Sequence, residues 1–176
     1  MPYVKKLGFT LVELLIVIAI IGVLVAVIFV ALDPATRLAQ ARDAVRQNDV
    51  GEILSAIKLY QVDHGGQSLD TIANLSQLDV YMAVDGGGMN EGCDDNNVSC
   101  TTPVTHDTHC VNIHELIQEG YLADMPVSPS GEVIWDVGDN TGDNGSGYTI
   151  SLDTEGIVTV RACENEATSV EIQASR

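Results

Sequence analysis

Nineteen consecutive residues, Leu14–Leu32, carry no polar side chain, and they stand near the front of a 176-residue chain. At helical rise such a run covers about 29 Å, close to the hydrocarbon thickness of a bilayer. A secretory signal differs in two respects: its apolar core is shorter, about 7–15 residues, and a small-residue cleavage site follows it. Here Leu32-Asp33-Pro34-Ala35 follows the run, and the small residue, Gly8, precedes it. Lys5 and Lys6 predict a cytoplasmic N-terminus and an exported domain. Cleavage at the front of the run would leave the anchor attached to the domain.

The stretch MPYVKKLGFTLVELLIVIAIIGVL combines a short basic leader, Gly8, Phe9, Thr10-Leu11, and Glu13 as the fifth residue past the glycine, then a continuous apolar helix. It resembles the N-terminus of type IV pilins and type II secretion pseudopilins over about residues 1–33, and more weakly to about residue 64. The resemblance implies cleavage between Gly8 and Phe9 by an inner-membrane prepilin peptidase, and methylation of the new amine on Phe9. It also implies a homo-oligomeric helical filament, a pilus or secretion assembly platform, and an ATPase that this chain does not itself encode. Many pilins carry a proline where Val30 stands; its absence leaves the position of any local unwinding open, with Gly22 as one candidate.

Glu13 is the one acid at the threshold of the apolar run. A charge at mid-bilayer costs about 2.5–3.5 kcal/mol on insertion scales. Two readings follow. In one, Glu13 lies at the membrane interface, stabilised by the helix N-terminus. In the other, it meets the ammonium created at Phe9. Phe9 and Glu13 are i and i+4 and share a helix face. Between copies, one subunit's amine against a neighbour's Glu13 would select one axial register, because an unpaired charge in an apolar core is strongly penalised. The resemblance favours the register role. Exchange of lipid for packed Leu, Ile and Val is nearly neutral in hydrophobic terms, so packing and this pair would decide assembly.

Beyond Asp33-Pro34, Leu38, Ala41, Val45, Ile53, Ile57 and Tyr60 approximate helical spacing to about His64, and Gly65-Gly66 stops the helix. The organisation expected is a leader (1–8), a transmembrane or filament-core helix (9–33), an amphipathic continuation (34–64) and a globular head (65–176). Arg37, Arg42 and Arg46 lie on the continuation; the reading preferred is a solvated face with Asp43 and Asp49 as local partners. Residues 67–84 read as a short amphipathic helix with Leu69, Ile72, Leu75 and Leu78, then a short apolar run. Asn112-x-x-Glu115 predicts a second short helix ending at Gly120. Glu132–Val137 reads as a strand, and Tyr148–Leu152 with Val158–Ala162 as a hairpin turning at Asp153–Gly156. The tail after Cys163 is expected to be loose. The fold class is α+β: a long bent N-terminal helix packed against a small antiparallel sheet.

Formal charge is −17, and from Gln67 onward nineteen acids face two bases, Arg161 and Arg176. So anionic a head repels nucleic acid. Four cysteines, Cys93, Cys100, Cys110 and Cys163, suit two disulfides in an exported domain and allow three pairings. The pairing preferred is Cys93–Cys100 with Cys110–Cys163. Asp136, Asp139, Asn140, Asp143 and Asn144 concentrate hard oxygens on a glycine-rich loop that suits Ca²⁺, although the reading preferred is a solvated turn. Asp94 and Asp95 are a weaker candidate. His106, His109, Cys110 and His114 fit no zinc spacing. No catalytic motif is present in the sequence, and no enzyme is expected. The leading expectation is a filament subunit, stored in the inner membrane and assembled into an extracellular or periplasmic filament. The alternative is a monomeric, membrane-anchored extracytoplasmic binding module.

Overall fold

The computed structural model describes residues 8–86, 98–105, 110–135 and 145–176. In chain order the elements are α1 (Leu11–Leu32), α2 (Pro34–Asp63), α3 (Asp70–Ala73), β1 (Val80–Val84), β2 (Cys110–Asn112), α4 (His114–Gln118), β3 (Tyr148–Leu152), β4 (Val158–Ala162) and β5 (Gln173–Ser175). The chain divides into two compact units, Met1–Leu38 and Ala39–Arg176.

In the first unit α1 runs unbroken for 22 residues, through Gly22. The helix is interrupted at Asp33 instead, where the backbone turns left-handed (φ 37°, ψ 73°). Pro34 supplies the reason: it has no N–H for the preceding turn and bars its predecessor from helical geometry. A short polar residue tolerates the left-handed region. Asp33 then starts the next helix, its carboxylate accepting from Thr36 Oγ1 at 2.6 Å and its carbonyl from Arg37 N–H at 3.2 Å. Side chains from Phe9 to Ala31 are exposed. Among the described residues, Leu11–Asp63 holds the single helix long and apolar enough to cross a membrane.

In the second unit the expected α+β architecture is present. The sheet is mixed rather than wholly antiparallel, with strand order β2-β1-β3-β4-β5. Strands β1/β3, β3/β4 and β4/β5 pair antiparallel, while β1 and β2 run parallel, with Met82 opposite Cys110 and Val84 opposite Asn112. Alternation along each strand gives the sheet two faces. One face carries Tyr81, Ala83, Val111, Tyr148, Ile150, Val160 and Ala162, which share a core with Val50, Ile53, Leu54, Ile57 and Tyr60 of α2. A smaller cluster gathers Met82, Cys100, Val104, Cys110, Trp135 and Cys163.

Several local expectations give way here. The helix expected within 67–84 shrinks to the four residues of α3, and Val80–Val84 is a strand. That strand is apolar on both faces, so it shows no alternation to distinguish it from a helical segment. Asn112 ends β2 instead of capping a helix with Glu115. Its Oδ1 accepts from His114 N–H at 2.9 Å and Gly86 N–H at 3.2 Å, and Glu115 accepts from the Tyr60 hydroxyl. Residues 132–135 form no strand; 136 and 137 lie outside the described residues. The tail is tied down: β5 pairs with β4, placing Val160 opposite Ala174.

The preferred disulfide pairing is also corrected. Cys163 is bonded to Cys100. Cys110 sits on β2, three strand spacings from β4, or roughly 14 Å, beyond the reach of a disulfide. Thr101 N–H meanwhile donates to Cys163 O at 2.8 Å, which brings the segment around Cys100 directly onto the end of β4. Cys110 is disulfide-bonded as well, and Cys93 lies outside the described residues.

Candidate functional site: the segment ahead of the apolar helix

Gly8, Phe9 and Thr10 precede α1 in non-helical conformation, and all three are exposed, Phe9 to 84%. The Gly8–Phe9 peptide is therefore open to an enzyme. A Cβ built on Gly8 would meet nothing within 4 Å. Among the described residues, therefore, nothing in the fold demands glycine there.

Thr10 is the N-cap of α1, with extended backbone (φ −80°, ψ 150°), and Glu13 stands at the third helical position. The two form a capping box. Glu13 N–H donates to Thr10 Oγ1 at 3.2 Å, while Glu13 Oε2 accepts from Thr10 N–H at 2.9 Å and from Thr10 Oγ1 at 2.7 Å. Two of the orphan N–H groups of the helix end are thereby satisfied, and the carboxylate sits at the positive end of the helix dipole. Both Thr10 donors converge on Oε2, and no hydrogen bond is made to Oε1 within the described residues. The acid at the threshold is thus held within its own chain and retains an acceptor for a further donor.

Over residues 4–29 the chain matches the family described as the prokaryotic N-terminal methylation motif. It carries a prepilin-type signal. No curated protein matches the chain, and no solved structure does. The signal implies processing by a prepilin peptidase and filament assembly, and with the apolar helix it points to a membrane-anchored precursor.

Of the residues singled out as metal ligands, only Cys110 and His114 fall within the described residues of the second unit. Asp136, Asp139, Asn140, Asp143 and Asn144 lie outside the described residues, as do Asp94, Asp95, His106 and His109. Cys110, being disulfide-bonded, is no thiolate ligand, and His114 Nδ1 faces Asp85 Oδ1 at 2.6 Å.

A buried polar cluster takes the place of the solvated arginine face. Arg46 is fully buried. Its Nη1 reaches Asp43 Oδ1 and Glu166 Oε1, each at 2.8 Å, while Nε donates to Ser128 Oγ at 3.0 Å and Nη2 to Pro129 O at 2.8 Å. Glu164 Oε2 lies 3.5 Å from Nη2. Arg42 grips Glu166 through both Nε and Nη2. Asp43 in turn accepts from three successive backbone N–H groups, those of Glu166, Ala167 and Thr168, at 2.8–3.2 Å. Burial alone would raise the Asp43 carboxyl, but these N–H groups and Arg46 outweigh it and hold the carboxyl below its ordinary range. The Arg42 hydrogen bond holds Glu166 low against its own burial, with Arg46 adding to the effect, and Glu166 raises Arg42 in return. The sequence signal for this cluster was faint: basic and acidic residues at helical spacing read the same whether they face water or a distant segment.

Proposed function

We propose that the chain is a structural subunit of a type IV pilus or a type II secretion-like pseudopilus. It is made as a precursor in the inner membrane with its N-terminus cytoplasmic. A prepilin peptidase cuts between Gly8 and Phe9, and the freed amine of Phe9 is methylated. An assembly platform and its ATPase then move α1 from lipid into a filament core. The observation that carries this reading is the prepilin-type signal over residues 4–29, which runs into a helix whose side chains are exposed from Leu11 to Ala31. A helix of this composition has to be covered, by lipid or by copies of itself.

Within that reading Glu13 sets the register. The capping box occupies Oε2, and the Oε1 left over accepts the Phe9 ammonium of a neighbouring copy. Pairing in the filament core removes the penalty of an unmatched carboxylate, and a slipped register restores it. The experiment is charge reversal, Glu13→Lys, in the native cell. Mass spectrometry of the isolated protein should show a methylated Phe9 N-terminus in both wild type and variant, while electron microscopy should show filaments for the wild type alone. Filaments in normal number from Glu13→Lys would remove the register role. A mature wild-type protein that keeps its first eight residues and stays a solitary particle would overturn the whole reading in favour of a membrane-anchored binding module.

A further inference from the structure

The C-terminal segment Cys163–Thr168 crosses Arg42 and the buried Arg46 of α2; besides a hydrogen bond from Thr101 Oγ1 to Asn165 Oδ1 at 2.8 Å, it is fastened at two points of different chemistry. One fastening is covalent, the Cys100–Cys163 disulfide. The other is ionic, Arg42 and Arg46 against Glu164 and Glu166, with Asp43 cradled by the N–H groups of residues 166–168. We propose that this segment is an acid-released strap: protonation of its carboxylate clasp lifts residues 164–168 from α2, while the disulfide keeps the segment tethered and the rest of the head folded.

The geometry gives the clasp its sensitivity. Among the described residues, the charged groups facing one another are Arg42, Asp43 and Arg46 from α2, and Glu164 and Glu166 from the strap. The segment 128–135 contributes only neutral partners: Ser128 Oγ, Pro129 O, the N–H groups of Glu132 and Val133, and Trp135 Nε1. From β3, Tyr148 donates to Asp49, one turn further along α2. Neither guanidinium can lose its charge. When the acids take up protons, buried Arg46 therefore loses its counter-charges, and water becomes its better partner. Asp43 and Glu166 are held below the ordinary carboxylate range when the strap is closed. The closed state thus binds protons less readily than the open one. Closure is fully favoured above ordinary carboxylate values, about pH 4, and is lost as pH falls through the depressed values. For each proton taken up, the opening constant rises about tenfold per pH unit.

The chain carries its own reporter. Its one tryptophan, Trp135, is 4% exposed and donates from Nε1 to Glu164 Oε2 at 2.8 Å. The test is an acid titration of the full chain in detergent, read three ways. Trp135 emission should shift to the red below about pH 4. Far-UV circular dichroism should hold over the same range. A glutamate-specific protease active in acid should begin to cut after Glu164 and Glu166, located by mass spectrometry. Asp43→Asn, isosteric with the protonated acid, should bring the emission shift and the cleavage to pH 7, and Glu166→Gln should move them part of the way.

Three results would overturn the proposal. Emission and circular dichroism could change together, which is global unfolding. Emission could shift without cleavage at Glu164 or Glu166, which places the motion in the Trp135 segment. Or emission could stay constant through the titration.

Discussion

A guanidinium carries five N–H donors in a rigid fork, and Arg46, with no exposed surface, donates to Asp43, Ser128 and Pro129 and is ion-paired with Glu164 and Glu166 as well. Removing it leaves buried acids facing one another. Arg46→Ala is expected to destabilise the head by about 3–5 kcal/mol. Arg37→Ala, on an exposed side chain, should stay within about 0.5 kcal/mol; paired denaturant titrations check both. Gly147 is a second sensitive residue. Its φ is +78°, and an added Cβ would lie 2.6 Å from Ser128 Cβ and 2.9 Å from the Trp135 ring. Gly147→Ala therefore combines backbone strain with overpacking and should cost about 1–3 kcal/mol or more by the same measurement. At the other end, Thr10→Ala deletes the cap of α1 and should weaken the helix start by about 1 kcal/mol. The effect would be read as faster amide exchange over Leu11–Leu14 in micelles.

At the scale of elements, α2 joins two kinds of environment. Its first turn follows the Asp33 break, and its later turns bury Val50, Ile53, Ile57 and Tyr60 in the core of the head. The C-terminal segment closes over its Arg42–Arg46 stretch and then returns as β5 along β4. The Cys100–Cys163 bond closes a loop with a sequence separation of 63 residues. On the chain-entropy account such a loop stabilises by about 4 kcal/mol. The Cys100→Ser, Cys163→Ser pair should show a loss of that order in denaturant titration at pH 7, above the range in which the carboxylate clasp titrates.

For the molecule as a whole, two consequences of charge stand out. The chain bears a net charge of −17, concentrated after Gln67. Copies brought side by side repel, and salt screens that repulsion over about 8–10 Å at 0.10–0.15 M. If the chain assembles as proposed, filaments should be more resistant to dissociation as ionic strength rises, checked by sedimentation. Alkali acts through the tyrosines. Tyr60 is pushed up to about 12 by burial first, and then by its hydrogen bond to Glu115. Burial and the bond to Asp49 raise Tyr148 as well. The folded head holds these protons more tightly than the unfolded chain. Stability should therefore be intact below about pH 10 and fall as pH climbs from there toward 12, as a circular dichroism titration would show.

What the sequence by itself determined is whatever a few neighbouring residues can specify. The apolar run dictated α1, Asp33-Pro34 placed the break, Gly65-Gly66 ended α2, and alternation with a Gly156 turn produced the β3–β4 hairpin. The processing segment was legible for the same reason, since Gly8, Phe9, Thr10 and Glu13 lie within six residues of one another. Only the tertiary structure decided the rest. β2 and β5 are three residues each, too short to carry a period, and exist because β1 and β4 offer them unpaired backbone. The partner of Cys163 followed from strand order rather than from cysteine spacing. Arg46 is buried because two of its acids, Glu164 and Glu166, arrive from more than a hundred residues away. A charged side chain has no preference for the interior until those partners are in place, and no local pattern announces that they will be.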